Sequence, residues 1–279
     1  MSYKTILVYF NNEKQAPKLI EAATNMATQH GGHVVGLFVT PRVPIYPEVG
    51  PGMTAELLKA HETLFKEESE AIHQKFENAM KGQSFSAEWR HVSAGFYQTS
   101  GEIIEHARMA DILIAPQTDP ENPDPNYAGV AEELLIGCGR PVFIVPAYGE
   151  HGTFGKNVMV AWNGSRESAR AVFDALPVLK RAETVRVLSV ESKDFDGSKN
   201  VPGAEIATML SRHGVKCEVA VSAGSSLHPG DELLARLADA NCDLLVMGAY
   251  GHSRITEFVF SGVSRHMLRH MTVPLLMSH

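Results

Sequence analysis

The sequence predicts a duplicated α/β fold, two halves that each carry a five-stranded parallel sheet covered by helices. Three observations predict it. Val92-Ser93-Ala94-Gly95 recurs letter for letter as Val221-Ser222-Ala223-Gly224. Strand-like and helix-like patterns alternate on both sides of each copy, as a parallel sheet with crossover helices requires. The length of 279 residues also suits about two domains at roughly 150 residues each. A single eight-unit barrel is disfavoured, because two matching sets of five strands do not make eight equal units.

The elements pair in order. Both halves open on an apolar strand, Lys4 to Asn11 and Lys156 to Asn163, followed by an amphipathic helix and the strands Val34 to Val39 and Thr184 to Val190. Next comes a helix, extended and charged from Thr54 to Lys81 in the first half and short from Ala204 to His213 in the second. The alternating runs Ser86 to His91 and Lys216 to Ala220 are third strands. The helices after them place apolar pairs on one face, Ile103-Ile104 and Leu233-Leu234.

Aspartate-led apolar runs then read as strands buried on both faces, Asp111 to Ala115 and Asp243 to Met247. A last helix opens at Ala128-Gly129-Val130 and at Ser261-Gly262-Val263, and proline-marked strands close each half, Arg140 to Val145 and Val273 to Met277. Tyr148 to Gly152 reads as the junction, giving domains 1–150 and 151–279.

Composition excludes several classes. A net charge of -7 without a basic run argues against nucleic acid as a partner. Cys138, Cys217 and Cys242 are odd in number and far apart, so neither a disulfide framework nor a thiolate zinc site is indicated. No apolar run approaches 18 residues and the N-terminus lacks a leader pattern, so the expectation is a cytoplasmic protein with no membrane contact.

Ligands of open parallel sheets bind beyond the carboxyl ends of the strands. In the second half those positions are Ala161-Trp162-Asn163-Gly164-Ser165 and Met247-Gly248-Ala249-Tyr250-Gly251. Gly248 and Gly251 allow backbone N–H groups to approach a polyphosphate, and Ser261-Gly262-Val263-Ser264 is read as the N-terminus of the last helix, where N–H groups and the dipole favour an anion. Asn163-Gly164 reads equally as a turn before a helix capped by Ser165, and Trp162 as packing at the strand end.

The whole string, Gly-x-x-Gly, nine residues, then Ser-Gly-Val-Ser after a buried strand, resembles the universal stress protein family, and the resemblance extends over both halves as a tandem arrangement. It implies Rossmann-like domains paired through their last strands, and ATP bound through the glycine loop of some members. By that resemblance Asn163 lies beside the adenine, Val190 lines the base pocket, Met247 and Gly248 approach the ribose, and Gly251, Ser261, Gly262 and Val263 face the phosphates. The family pattern has aspartate where Asn163 stands, and Gly followed by Ser or Thr where the chain reads Ser261-Gly262. Backbone donors survive both changes, so ATP or a related adenine nucleotide, with Mg²⁺ at its phosphates, is the expected cofactor.

The first half has Pro116 to Pro125 in place of the glycine loop, with Asp119, Glu121 and Asp124, so no triphosphate site is expected there. A calcium loop at these carboxylates is disfavoured for want of the EF-hand glycine and terminal glutamate. His266 and His270 lie four apart, but with no third ligand near in sequence they read as surface histidines. No nucleophile or general base stands out, so the expectation is a nucleotide-responsive regulator with at most slow ATP hydrolysis. A ligand-free scaffold is the alternative. Its partners are unidentified proteins, and a homodimer is one assembly to test.

Overall fold

The computed structural model describes residues 2–41, 51–94, 99–149, 153–190, 203–222, 228–250 and 257–279, with the side chains of 51–54, 190, 221–222 and 257–261 outside the description. The first half runs β1 (Thr5–Phe10), α1 (Ala16–His30), β2 (His33–Thr40), α2 (Pro51–Met80), β3 (Ala87–Ser93), α3 (Thr99–Ala107), β4 (Ile112–Pro116), α4 (Val130–Gly137) and β5 (Val142–Val145). The second runs β6 (Asn157–Ala161), α5 (Arg166–Leu179), β7 (Thr184–Val190), α6 (Ala204–Arg212), β8 (Cys217–Ser222), α7 (Pro229–Asp239), β9 (Leu244–Gly248), α8 (Glu257–His270) and β10 (Leu275–Ser278).

Each half contributes five parallel strands, in the doubly wound orders β3-β2-β1-β4-β5 and β8-β7-β6-β9-β10. The two sets do not remain separate sheets. β5 and β10 pair antiparallel, Phe143 opposite Leu276, and fuse them into one ten-stranded sheet. Each last strand is too apolar to leave its edge in water, and the copy offers a matching edge.

Burial follows position in the sheet. All five residues of β4 and the first four of β9 are buried, as expected where helices cover both faces. β3, at the edge, exposes Glu88, His91 and Ser93 and half-buries its other residues. The repeat has a hydrogen-bonding reason. The Asp111 carboxylate accepts the N–H groups of Lys4 and Thr5, and Asp243 accepts those of Gly155, Lys156 and Asn157. One aspartate thus sets the start of the neighbouring strand in each copy, so the aspartate-led runs recur in sequence.

Strand and helix bounds fall within a few residues of the sequence expectations, with one consequential exception. The last helix does not open at Ser261. Its described span runs from Glu257 and contains Ser261 and Gly262 in its interior, whereas α4 starts directly after its N-cap Gly129, which has a φ of 76°. All three cysteines are free, Cys138 and Cys242 being buried. No helix of the described residues is long and apolar enough to cross a membrane.

Candidate functional site

The sheet order reverses between β6 and β9, and a cleft lies beyond their carboxyl ends. It is lined by Ala161, Trp162, Asn163, Ser165, Glu167 and Ser168 after β6, Leu188 of β7, Pro229 and Leu233 of α7, Met247, Gly248 and Tyr250 after β9, and Val263 and Ser264 of α8. Six residues expected from the sequence meet here: Ala161, Asn163, Met247, Gly248, Val263 and Ser264. Gly262 is half-buried on α8 and faces His228. Val190 ends β7 and Ser261 lies in α8, their side chains outside the description, and Gly251 lies outside the described residues.

Backbone proximity shapes the floor. A Cβ built on Gly248 would stand 2.5 Å from the Ser168 nitrogen and 2.6 Å from the Glu167 carbonyl carbon. Only glycine lets the end of β9 lie against the first turn of α5. That turn is capped by Ser165, whose Oγ accepts the Ser168 N–H at 3.1 Å. Asn163 serves the same turn, its Oδ1 accepting the Ser165 N–H at 3.0 Å. The turn reading of Asn163 therefore holds, and its NH₂ group remains for another partner.

Glu167 was not anticipated. It is 3% exposed, and its carboxylate pairs with the Arg166 guanidinium at 2.9 Å. Burial pushes its pKa up, but a hydrogen bond from its own backbone N–H and the Arg166 contact outweigh that and hold it below the usual glutamate value. The cleft thus carries a carboxylate, and no lysine or arginine is among its lining residues. Trp162 contributes to the wall, and α7 closes one side through Pro229 and Leu233. Nothing local in the sequence marks α7 as a wall, because its position depends on the crossover from β8.

Tyr250 has a φ of 49°, a left-handed backbone that bulky residues adopt only at a cost. Its N–H reaches the buried Ser264 hydroxyl at 3.3 Å, fixing the loop after β9 to α8. Its own hydroxyl is buried with no hydrogen-bond partner, and burial, with a smaller push from Glu132, raises its pKa to about 12. The cavity measures about 70 Å³. Small-molecule sites usually span roughly 300–1,000 Å³, so the cavity among the described residues is small by comparison.

The matching crevice of the first half has a different floor and lining. Gln15 and Gln117 are buried there, the Gln15 amide donating to the Gln117 carbonyl at 3.2 Å. Outside them lies a surface cleft with Glu13, Glu68, Asp119 and Asp124 against Lys14 and Lys75. Tyr148 donates to Asp119 at 2.6 Å and Asp124 caps the turn at Pro125–Tyr127, so the acidic loop is folded onto itself.

With that geometry in place, similarity to known proteins can be read. The sequence profile of the universal stress protein family matches residues 155–279. The second half is a universal stress protein domain. The relation extends along the chain: Universal stress protein Slr1230 of Synechocystis sp. is 24% identical over 293 residues, covering 98% of this chain and 99% of that protein. A crystal structure of a universal stress protein from Archaeoglobus fulgidus superposes with a TM-score of 0.69 at 19% identity, covering 98% of this chain and 95% of its own. A Pseudomonas aeruginosa structure covers 99% of this chain and 93% of its own, with a TM-score of 0.56 at 14% identity. The second half therefore belongs to that family, and the likeness in α/β fold extends over both halves of the chain.

Proposed function

We propose that this tandem universal stress protein binds ATP or a related adenine nucleotide in the cleft of its second half, and that occupancy biases its contacts with protein partners in a stress response. The observation that carries the reading is the cleft at the β6/β9 reversal, with an apolar wall for a base and a glycine strand end for the sugar and phosphates. The Ala161, Leu188, Leu233 and Val263 side chains supply the wall, and Met247 and Gly248 the floor. Gly251, Ser261 and Gly262 are proposed at the phosphates and Val190 at the base. Among the described lining residues there is a carboxylate and no cation, and Mg²⁺ is proposed at the phosphates.

A second reading, a ligand-free scaffold, is favoured by the small cavity and by the sheet-to-sheet pairing that needs no ligand. Denaturing the purified protein and identifying released nucleotide, then following thermal unfolding against ATP and Mg²⁺, separates the two. Ligand at 100 times its dissociation constant stabilises the fold by about 2.7 kcal/mol. No released nucleotide and no shift at millimolar ATP would leave the scaffold. Phosphate release in the same mixtures reads any slow hydrolysis.

A further inference from the structure

The last helix of the second half carries a second cluster, beside the cleft and independent of it. His266, expected at the surface, has a side chain only 21% exposed and packs onto the first turn of α7. The third partner that the sequence did not show comes from that turn. Asp231 Oδ1 stands 3.0 Å from His266 Nε2, and the His228 ring centroid lies 5.0 Å from that of His266. One donor atom from each of the three residues falls within 4.8 Å of the others.

We propose that His228, Asp231 and His266 form a binding site for a divalent first-row transition ion, with zinc the best chemical fit. Two imidazoles and one carboxylate suit Zn²⁺ better than Mg²⁺ or Ca²⁺, which take oxygen donors. Three protein ligands leave a coordination position for water or a ligand oxygen.

Three features shape the site. A Cβ on Gly230 would lie 2.5 Å from His266 Cδ2, so glycine at that position admits the imidazole onto α7. His266 Nε2 is buried and, although near Asp231, lacks the direction of a hydrogen bond, which leaves a polar atom for a metal to satisfy. His270, its ring 4.5 Å from His266, packs on that imidazole from outside the three-donor group.

Binding has one local cost. His228 Nδ1 accepts the Gly230 N–H at 3.1 Å, capping α7, so a neutral His228 carries its proton on Nε2. Coordination through Nε2 moves that proton to Nδ1, which then cannot accept the Gly230 N–H, and coordination through Nδ1 takes the same lone pair, so either mode gives up the cap. In either case two imidazoles must stay unprotonated, and affinity falls as pH drops through their titration.

The test uses full-length protein dialysed against chelator, without nucleotide. Zn²⁺ is titrated against a chromophoric chelator, and Co²⁺ is added separately to read its visible absorption. One equivalent of Zn²⁺ is expected to bind, with a low-coordinate Co²⁺ spectrum. His266→Gln and Asp231→Asn should each weaken it roughly a hundredfold or more, as loss of a ligand exceeds the effect of losing an outer partner. His270→Gln should retain the site. Unchanged far-ultraviolet dichroism and urea midpoint in the metal-free variants show that they fold. Wild-type binding no tighter than that of His266→Gln would overturn the proposal, as would equal loss in His270→Gln.

Discussion

The Gln117 side-chain amide donates to the carbonyl of Leu268, 151 positions away in sequence, at 2.8 Å. It also donates to Arg269 O at 3.2 Å, while its own Oε1 accepts the Ala147 N–H at 2.9 Å. A residue after β4 of one half thus caps the C-terminal carbonyls of α8 in the other. Because α8 lines the second cleft, Gln117 of the first half helps to hold one wall of that cleft.

Gln117→Leu keeps the volume and leaves the Ala147 N–H and two carbonyls buried without partners. The expected cost is about 1–3 kcal/mol, read as a lower urea midpoint at unchanged slope. No change in midpoint would mean that the cap contributes nothing to the junction.

The two glycines of the cleft should respond in opposite directions. Gly248→Ala forces backbone apart at 2.5 Å and is expected to destabilise by roughly 1–3 kcal/mol while closing the cleft. Gly262→Ala has space, with its nearest neighbour at 3.7 Å, and sits inside a helix, so it should stabilise by about 0.5–1 kcal/mol. If Gly262 meets phosphates, ATP affinity falls in that variant even as the melting temperature rises.

His30 links pH to stability. Burial first, then the charges of Arg181 and Lys4, lower its pKa from 6.5 to about 4, and its Nε2 has no partner. The folded state binds fewer protons than the unfolded chain between those values, so stability present above pH 6.5 is lost as pH falls towards 4. His30→Leu should flatten the pH dependence of the unfolding midpoint over that window, and an unaltered slope would assign the loss to other groups.

Asn163 spends its oxygen on the Ser165 N–H, which leaves a donor where the family has a second carboxylate oxygen. A donor cannot accept from the adenine amino group. Asn163→Asp should keep the turn and improve discrimination of ATP over inosine triphosphate by up to roughly tenfold, the value of one hydrogen bond. Equal ratios for the two proteins would remove this side chain from the base contact.

Much of this architecture was legible in the chain because duplication repeats its local causes. Asp111 and Asp243 recur since each receives the N–H groups of a neighbouring strand, and the buried runs after them are apolar on both faces. Ser165 as a cap and Gly248 as a close approach also follow from local chemistry. The course of α8 did not, because Ser-Gly resembles a helix boundary whereas Ser261 and Gly262 lie inside the helix. Glu167, Leu233, the Gln117 cap and the His228–Asp231–His266 cluster depend on which helix faces which, and that is set by the crossovers.

The central claim is that the two halves differ, one holding a nucleotide and the other closed to it. Crystals soaked in excess ATP and Mg²⁺, with occupancy refined separately for each half, test it most directly. The account predicts density for one nucleotide, against Met247, Gly248 and Val263, and none beside Gln15 and Gln117. Equal occupancy in both halves, or a nucleotide in the first half alone, would contradict it.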